Sequence, residues 1–376
     1  MLTFLPILHM KTRILFLCKN RDTPLETGEA YSTGGKSSGL LNSVNFVVDM
    51  LTKDGVDCKV VGVQDNNCID REVSAYKPTH VIIEALWVVP EKFEVLTRLH
   101  PKVEWLVRLH SEVPFIAGEG MAFDWIPKYY NYKNVYVAAN SRGICDDIKH
   151  LYRQKVVFLP NFYPLYKVPA PAKTSAYQKM LKKLGFIPTN RLRKTTGPIL
   201  HIGCFGAIRP LKNQLIQAVA AMRFADSVGK ELHFHINGNR VEGKGDPVIK
   251  NIRKLFGSQN KHTLIEHPWM PHETFTELLK DMDMTLQVSF TETYNIVAAD
   301  AIAAGSPVIT SNEITFVPPY LHASPTDTND MVAKMTYLYN TDIDEVRYDS
   351  YMDLLADANV ASGMWRAWIK FEEGQK

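Results

Sequence analysis

Short apolar runs recur along the chain, each closed by a turn signal and followed by a stretch in helical spacing. In the front half these runs are Arg13–Cys18 (RILFLC), Cys58–Val63, His80–Ala85, Trp105–His110, Val135–Asn140 and Val156–Pro160. In the rear half they are Ile199–Gly206, Glu231–Gly238 and Thr263–Trp269. Apolar runs of this length, bounded by turn residues, read as strands. Between them Leu41, Val44, Val48 and Leu51 fall at helical spacing up to Gly55. Leu215, Val219 and Met222 do the same, as do Phe275, Leu278, Leu279 and Met282, each set predicting the buried face of a helix. Met364, Trp365, Trp368 and Phe371 give the tail an apolar helical face. Regular strand–helix alternation predicts parallel sheets with helices on both faces.

One stretch, Met284 to Thr310, holds the densest signal. Leu286 and Val288 alternate with Thr285 and Gln287, the pattern of a core-edge strand. A loop follows, Ser289-Phe-Thr-Glu-Thr-Tyr-Asn295. Ala298, Ala299, Ala301, Ala303 and Ala304 then predict a short helix, stopped by Gly305 where left-handed backbone is needed. Pro307 opens a last strand, Val308 to Thr310. Glu292 lies in the loop and Asp300 on the helix. A carboxylate at a strand's C-terminal end, beside a helix N-terminus, stands where open α/β sheets bind ligands.

Three other places carry candidate chemistry. After the first strand comes Thr33-Gly34-Gly35-Lys36-Ser37-Ser38-Gly39, which reads as a phosphate cradle around Gly35 or as a flexible loop cap. It is not an ATPase P-loop, whose first glycine would fall on Ala30. His110 ends a strand and so faces the ligand edge of the sheet, although a strand-end histidine is also a common structural residue. Finally, Gly206-Ala-Ile-Arg209-Pro-Leu-Lys212 joins a strand to a helix. Two cations and a glycine turn at a helix start make a clamp for a diphosphate that gains charge as it leaves.

Composition narrows the class. The chain of 376 residues is 45% hydrophobic, enough for two α/β domains. A net charge of +3 does not by itself argue for a polyanionic partner. Five scattered cysteines, with no CxxC pair, fit a reducing, cytoplasmic compartment and no zinc site. No metal site is read elsewhere: Asp281-Met-Asp283 sits at a helix boundary, and His233 and His235 alternate with no third ligand near in sequence. The first ten residues are too short to span a bilayer and are read as a leader or extension; no other segment has transmembrane length. Between Phe162 and Pro198 lie Lys167, Lys173, Lys179, Lys182, Lys183, Arg191, Arg193 and Lys194 with no acid. Such a run is a solvated face or a contact for a polyanion such as DNA.

The stretch around Glu292 resembles the signature of family-four retaining glycosyltransferases of the GT-B fold: Ser, Glu, a small or aromatic run, an acidic residue, Ala, a small residue, Gly, a small residue, then Pro-Val-Ile. In that family two glutamates are separated by seven intervening residues. Glu292 takes the first place and Asp300, one methylene shorter, the second. The resemblance runs from Lys11 over nearly the whole chain and is specific at Gly203–Lys212 and Ser289–Ile309. It implies an α/β fold of two Rossmann-like domains with parallel sheets facing a central cleft and a C-terminal helix crossing back to the first domain. The implied divisions are 11–165 with the helix 355–376, a basic linker 166–197, and a nucleotide-sugar-binding domain 198–354.

The resemblance also implies site roles. Arg209 and Lys212 match the diphosphate-binding pair, Glu292 holds donor-sugar hydroxyls, Asp300 the ribose, and His110 the donor sugar. Backbone near Trp269 and Met270 lies against the nucleobase, and Gly35, Gly206, Thr293, Tyr294 and Asn295 complete the donor-binding set. Glu292, His110, Arg209 and Lys212 form the catalytic set; Glu112 and Glu119 are weaker acceptor candidates. The expected reaction is metal-free transfer from a nucleotide-diphosphate sugar, a UDP-sugar first, with retention of configuration. The chain also resembles bacteriophage glycosyltransferases, some of which decorate hydroxymethylated bases in DNA. The alternatives are a cell-envelope or lipid-linked acceptor, a sugar-nucleotide epimerase of the same fold, and a non-catalytic binding module.

Overall fold

The computed structural model describes residues 12–20, 39–167, 170–171, 173–184 and 197–374. The leader, Gly35, Arg191, Arg193 and Lys194 lie outside the described residues. The chain divides into two compact units, the first running to Tyr163 and regaining the tail from Ala358, the second spanning Pro164–Asp357.

The first unit is built on β1 (Arg13–Lys19), β2 (Asp57–Val63), β3 (His80–Glu84), β4 (Glu104–Leu109), β5 (Val135–Ala139) and β6 (Val156–Phe158). They form one parallel sheet in the order β2-β1-β3-β4-β5-β6. β1 shows why its sequence is apolar without a break. Leu15 and Leu17 enter one apolar cluster, and Ile14 and Phe16 enter another on the opposite face. Side chains alternate across a strand, so a sheet covered on both faces needs apolar residues at every position. The second cluster is completed by Ala358, Ala361, Trp365, Trp368 and Ile369 from the C-terminal helix. That helix is longer than the tail pattern suggested, running Ile343–Gly374. Trp365 is fully buried, its ring centroid 6.1 Å from that of Phe16, and its Nε1 donates to the Pro160 carbonyl at 2.8 Å.

The second unit holds β7 (Ile199–Gly203), β8 (Glu231–Ile236), β9 (Thr263–Glu266), β10 (Met284–Gln287) and β11 (Val308–Thr310). Their order is β11-β10-β7-β8-β9, again parallel. The chain builds outward from β7 to β9, then returns to β7's other side with β10. The β7–β10 pair is therefore the topological switch point, where open α/β sheets bind ligands.

Two expectations about side-chain faces are corrected here. β10 is not an edge strand: all four of its residues are buried between β7 and β11. Its polar positions are satisfied internally, Thr285 Oγ1 lying 3.1 Å from Ser306 Oγ and Gln287 Nε2 donating to the Phe205 carbonyl at 3.1 Å. The Gln214–Ser227 helix buries Met222 as the spacing predicts, but its buried face is otherwise set by polar and small residues. Gln214, Gln217, Ala218 and Ala221 are buried, whereas Leu215 and Val219 are half-buried. Hydrogen bonds account for the polar members: Gln214 Nε2 donates to Ala207 O, and Gln217 both donates to Lys212 O and accepts from Val288 N.

The basic connector contains an eight-residue helix, Ala176–Lys183, opened by a capping box of Ser175 and Gln178. Three of its described lysines have partners. Lys179 pairs with Glu345 at 2.9 Å, Lys182 with Asp342 and Asp344, and Lys173 lies over the Tyr348 ring. The acids missing from this segment are supplied by the first turn of the C-terminal helix. Among the described residues no helix is long and apolar enough to cross a membrane.

Candidate active site

The loop after β7 and the loop after β10 are tied together by amides. Gly206 takes φ +110°, a conformation only glycine adopts freely, and its N–H donates to Asn237 Oδ1 at 2.9 Å. That bond engages the Gly206 amide within the unit. Asn213, left-handed at φ +59°, donates from Nδ2 to the carbonyls of Val288 and Pro325. Phe290 N donates to Leu211 O at 2.9 Å. These bonds hold Lys212 against the end of β10, where its ammonium donates to Glu292 Oε1. The same oxygen accepts from Asn295 Nδ2 at 3.1 Å. Asn295 also caps the Ile296–Ala304 helix, its Oδ1 accepting from Ala298 N, and its Nδ2 reaches Gln287 Oε1.

Some hydroxyls near the ends of β10 and β11 find no hydrogen-bond partner among the described residues: Ser289 and Thr291 after β10, Thr310 and Ser311 at the end of β11. All four residues are buried. Buried polar groups are almost always satisfied, by protein or by water, so these four hydroxyls are open to a further polar partner. Thr293, next to Glu292, is half-buried. Tyr294 stacks on Phe316 with centroids 4.8 Å apart, and its hydroxyl is buried with no partner among the described residues. Burial, with Asp357 and Asp300 near, pushes that phenol far above its ordinary range.

Arg209 faces a different acid. Its Nε lies 3.6 Å from Glu242 Oε2, and Glu242 Oε1 accepts from Arg240 Nε at 2.5 Å. Backbone pairing sets this up: Ile208 N donates to Arg240 O, and Glu242 N to Ile208 O. The Arg240 guanidinium in turn lies 4.0 Å from the centroid of the Trp269 ring, and Trp269 N donates to Asn239 Oδ1. Trp269 and Met270 are half-buried beside it. Asp300 is buried, its carboxylate 2.7 Å from His272 Nε2. The Asp300 hydrogen bond is the main reason the His272 imidazole is held above its ordinary value.

Sequence order concealed four histidines that the sheet gathers. His201 and His233 are register partners, His201 Nδ1 lies 3.0 Å from His235 Nε2, and His235 Nδ1 lies 2.8 Å from His267 Nε2. His233 and His235 therefore do have imidazole neighbours, contributed by strands remote in sequence. His201, His235 and His267 are bonded in series, whereas His233 lies edge-on to the His201 ring and pairs with Glu231 at 3.0 Å; no cluster able to hold a metal occurs among the described residues. Asp283 is buried and accepts from His201 N, fastening β10's entry to β7.

In the first unit His110 follows β4 and belongs to a buried network. Its Nε2 hydrogen-bonds Glu84 Oε2, and its Nδ1 lies 3.3 Å from Asn140 Nδ2. Arg108 donates to both Glu84 oxygens, to Leu159 O and to Asn161 Oδ1. Burial pushes the Glu84 carboxyl up, but Arg108 and His110 outweigh it and hold the group below the usual range. Burial, then Arg108, pushes the His110 imidazole down. Ser141 Oγ donates to Glu112, which is thereby engaged locally.

The structure thus joins Lys212, Glu292 and Asn295 directly; Arg209 and Trp269 are linked through Glu242 and Arg240, and Asp300 pairs with His272. Glu242, Arg240 and His272, like Asn213, Gln217 and Asn237, escaped sequence reasoning. The one available signal was polarity at helical core positions, as at Gln214 and Gln217.

No protein-family model matches this chain, and no curated protein sequence does. Solved structures match it over nearly its whole length. Sucrose-phosphate synthase from Thermosynechococcus elongatus has a TM-score of 0.67 at 13% identity, covering 97% of this chain and 100% of that one. A UDP-forming α,α-trehalose-phosphate synthase from Burkholderia xenovorans has a TM-score of 0.60 at 12% identity, covering 96% and 99%. A trehalose-6-phosphate structure from E. coli, bound with UDP-2-fluoro glucose, has a TM-score of 0.63 at 8% identity, covering 96% and 99%. At such identities the likeness establishes the fold: two parallel-sheet α/β units, GT-B in class.

Proposed function

We propose that this protein is a retaining, metal-independent glycosyltransferase that moves a sugar from a nucleotide-diphosphate sugar to a hydroxyl acceptor. The observation that best supports this is the meeting of Lys212, Glu292 and Asn295 at the β7–β10 switch point. Glycosyl transfer passes through an oxocarbenium-like state as a diphosphate departs. Fixed cations can stabilise the charge gained by that leaving group. Lys212 and Arg209 take that part. Glu292, steadied by Asn295, accepts hydrogen bonds from donor-sugar hydroxyls, and Trp269 and Met270 lie at the base. His110 serves as the donor-sugar contact of the first unit, in a fixed orientation set by Glu84. UDP is the first choice of nucleotide, because the comparison proteins include one described as UDP-forming and one holding UDP-2-fluoro glucose. The setting is the cytoplasm, where its five free thiols stay reduced.

The acceptor under this reading is a hydroxymethylated base in DNA, reached through the basic connector. Its support is narrower than the charge run suggested, since Lys179 and Lys182 are already paired with acids. An envelope or lipid-linked acceptor and a sugar-nucleotide epimerase are the competing outcomes. The test incubates purified protein with UDP- and GDP-sugars, with and without hydroxymethylated DNA, and reads released nucleotide and labelled acceptor. Nucleotide release that requires the DNA, with sugar on the DNA, is the expected result. Release independent of DNA removes the acceptor assignment, epimerised sugar nucleotide favours the epimerase, and failure to turn over or bind any sugar nucleotide overturns the whole reading.

A further inference from the structure

The Asp300 carboxylate stands where the resemblance places a ribose-holding acid, yet a ligand would scarcely reach it. Its side chain is only 2% exposed, and the His272 ring, 29% exposed, lies against it with Nε2 2.7 Å from Oδ1. His272 is the first residue of the His272–Lys280 helix and directly follows the Trp269–Pro271 loop assigned to the base. With the base on that loop, as the proposed function has it, the adjoining polar group open to a ribose is the exposed member of the His272–Asp300 pair. What it meets there is an imidazole, with the acid behind it.

We infer that His272 is the residue that contacts the ribose hydroxyls, and that Asp300 is a positioning residue acting through it. Resting on the glycosyltransferase reading, this assigns ribose recognition within the same site. The acid is one methylene shorter than the family's glutamate, and the imidazole makes up the lost reach. An imidazole serves in either protonation state, accepting from a hydroxyl or donating to its oxygen. The Asp300 bond, with Asp300 and Glu273 charges, favours the protonated ring, while burial and the Lys167 charge oppose it.

The experiment measures binding of UDP and GDP, each beside its 2′,3′-dideoxy counterpart, by calorimetry. The native protein is expected to prefer the ribonucleotide by about tenfold, the worth of one good hydrogen bond. His272→Ala should erase the preference, the ribonucleotide losing more affinity than its dideoxy counterpart. If that variant is unfolded in a thermal melt, His272→Phe, which keeps the ring's bulk without its nitrogens, provides the same comparison. Asp300→Asn should reduce the preference and lower the His272 titration midpoint read by NMR. If the native protein binds neither UDP nor GDP, the glycosyltransferase reading fails. If it binds one and both His272 variants keep the ribose preference, this inference alone is overturned. It is overturned equally if Asp300→Asn removes the preference while the His272 variants do not.

Discussion

Glu84 in the first unit and Glu292 in the second each close an ion pair at the C-terminal end of a parallel sheet, and the two pairs are built differently. The Glu84 and Arg108 side chains are 0% exposed. Arg108 spends its nitrogens on Glu84, Leu159 O and Asn161 Oδ1 in a fixed planar fork. Lys212 and Glu292 are 20% and 9% exposed, and the cation is a lysine with three rotatable donors. A guanidinium saturated by the fold has nothing left to offer a ligand, and its pair fixes the strand ends. An ammonium held by one carboxylate can exchange it for a phosphate at small cost. Under the proposed function, the contrast separates a network that orients, with His110 as its outermost member, from one that receives the donor.

The largest expected effect comes from breaking the closed pair. Arg108→Met leaves Glu84 buried without its main counter-charge and should cost about 3–5 kcal/mol of unfolding free energy in urea melts. A midpoint close to that of the native protein would show that the fold does not depend on the pair. Next is Lys212→Met. It should lower kcat by roughly 10²–10³-fold, the usual loss on removing one preorganised charge stabiliser, with a smaller change in stability than Arg108→Met. Near-native turnover would mean that this pair is structural too.

The smallest effect concerns an acid with no hydrogen bond of the kind that Glu84 enjoys. Burial lifts the Asp357 carboxyl to about 6. A carboxyl whose value rises on folding contributes stability below its unfolded value of 3.8, and that contribution is lost as pH rises through about 6. Asp357→Asn should therefore stabilise the protein by roughly 2 kcal/mol at pH 8 and by almost nothing at pH 3. A pH-independent effect would contradict the assignment. Glu84 and His110 run the other way: both are lowered, so their contributions are present at high pH and fade as pH falls.

Much of this was legible beforehand. The apolar run at β1, the Gly305 stop and the Ala-rich helix after Glu292 are local signals, and the structure has each of them where the pattern placed it. The pairing of Lys212 with Glu292 was half legible. Both residues were singled out, but as separate roles, with no sign that they touch. The burial of β10 on both faces was misread because Thr285 and Gln287 are polar, and polarity looks like exposure until a partner such as Ser306 or Phe205 O is seen.

The sequence alone determined the elements and the loops that carry chemistry, since strand period, glycine stops and helix caps act over a few neighbouring residues. Tertiary structure decided the partners. Lys212 reaches Glu292 across 80 residues, Arg108 reaches Asn161 across 53, and His272 reaches Asp300 across 28. Those separations are closed by the order and register of parallel strands. Which acid a cation finds depends on which strand ends lie side by side, a property of the whole sheet that no short segment can express.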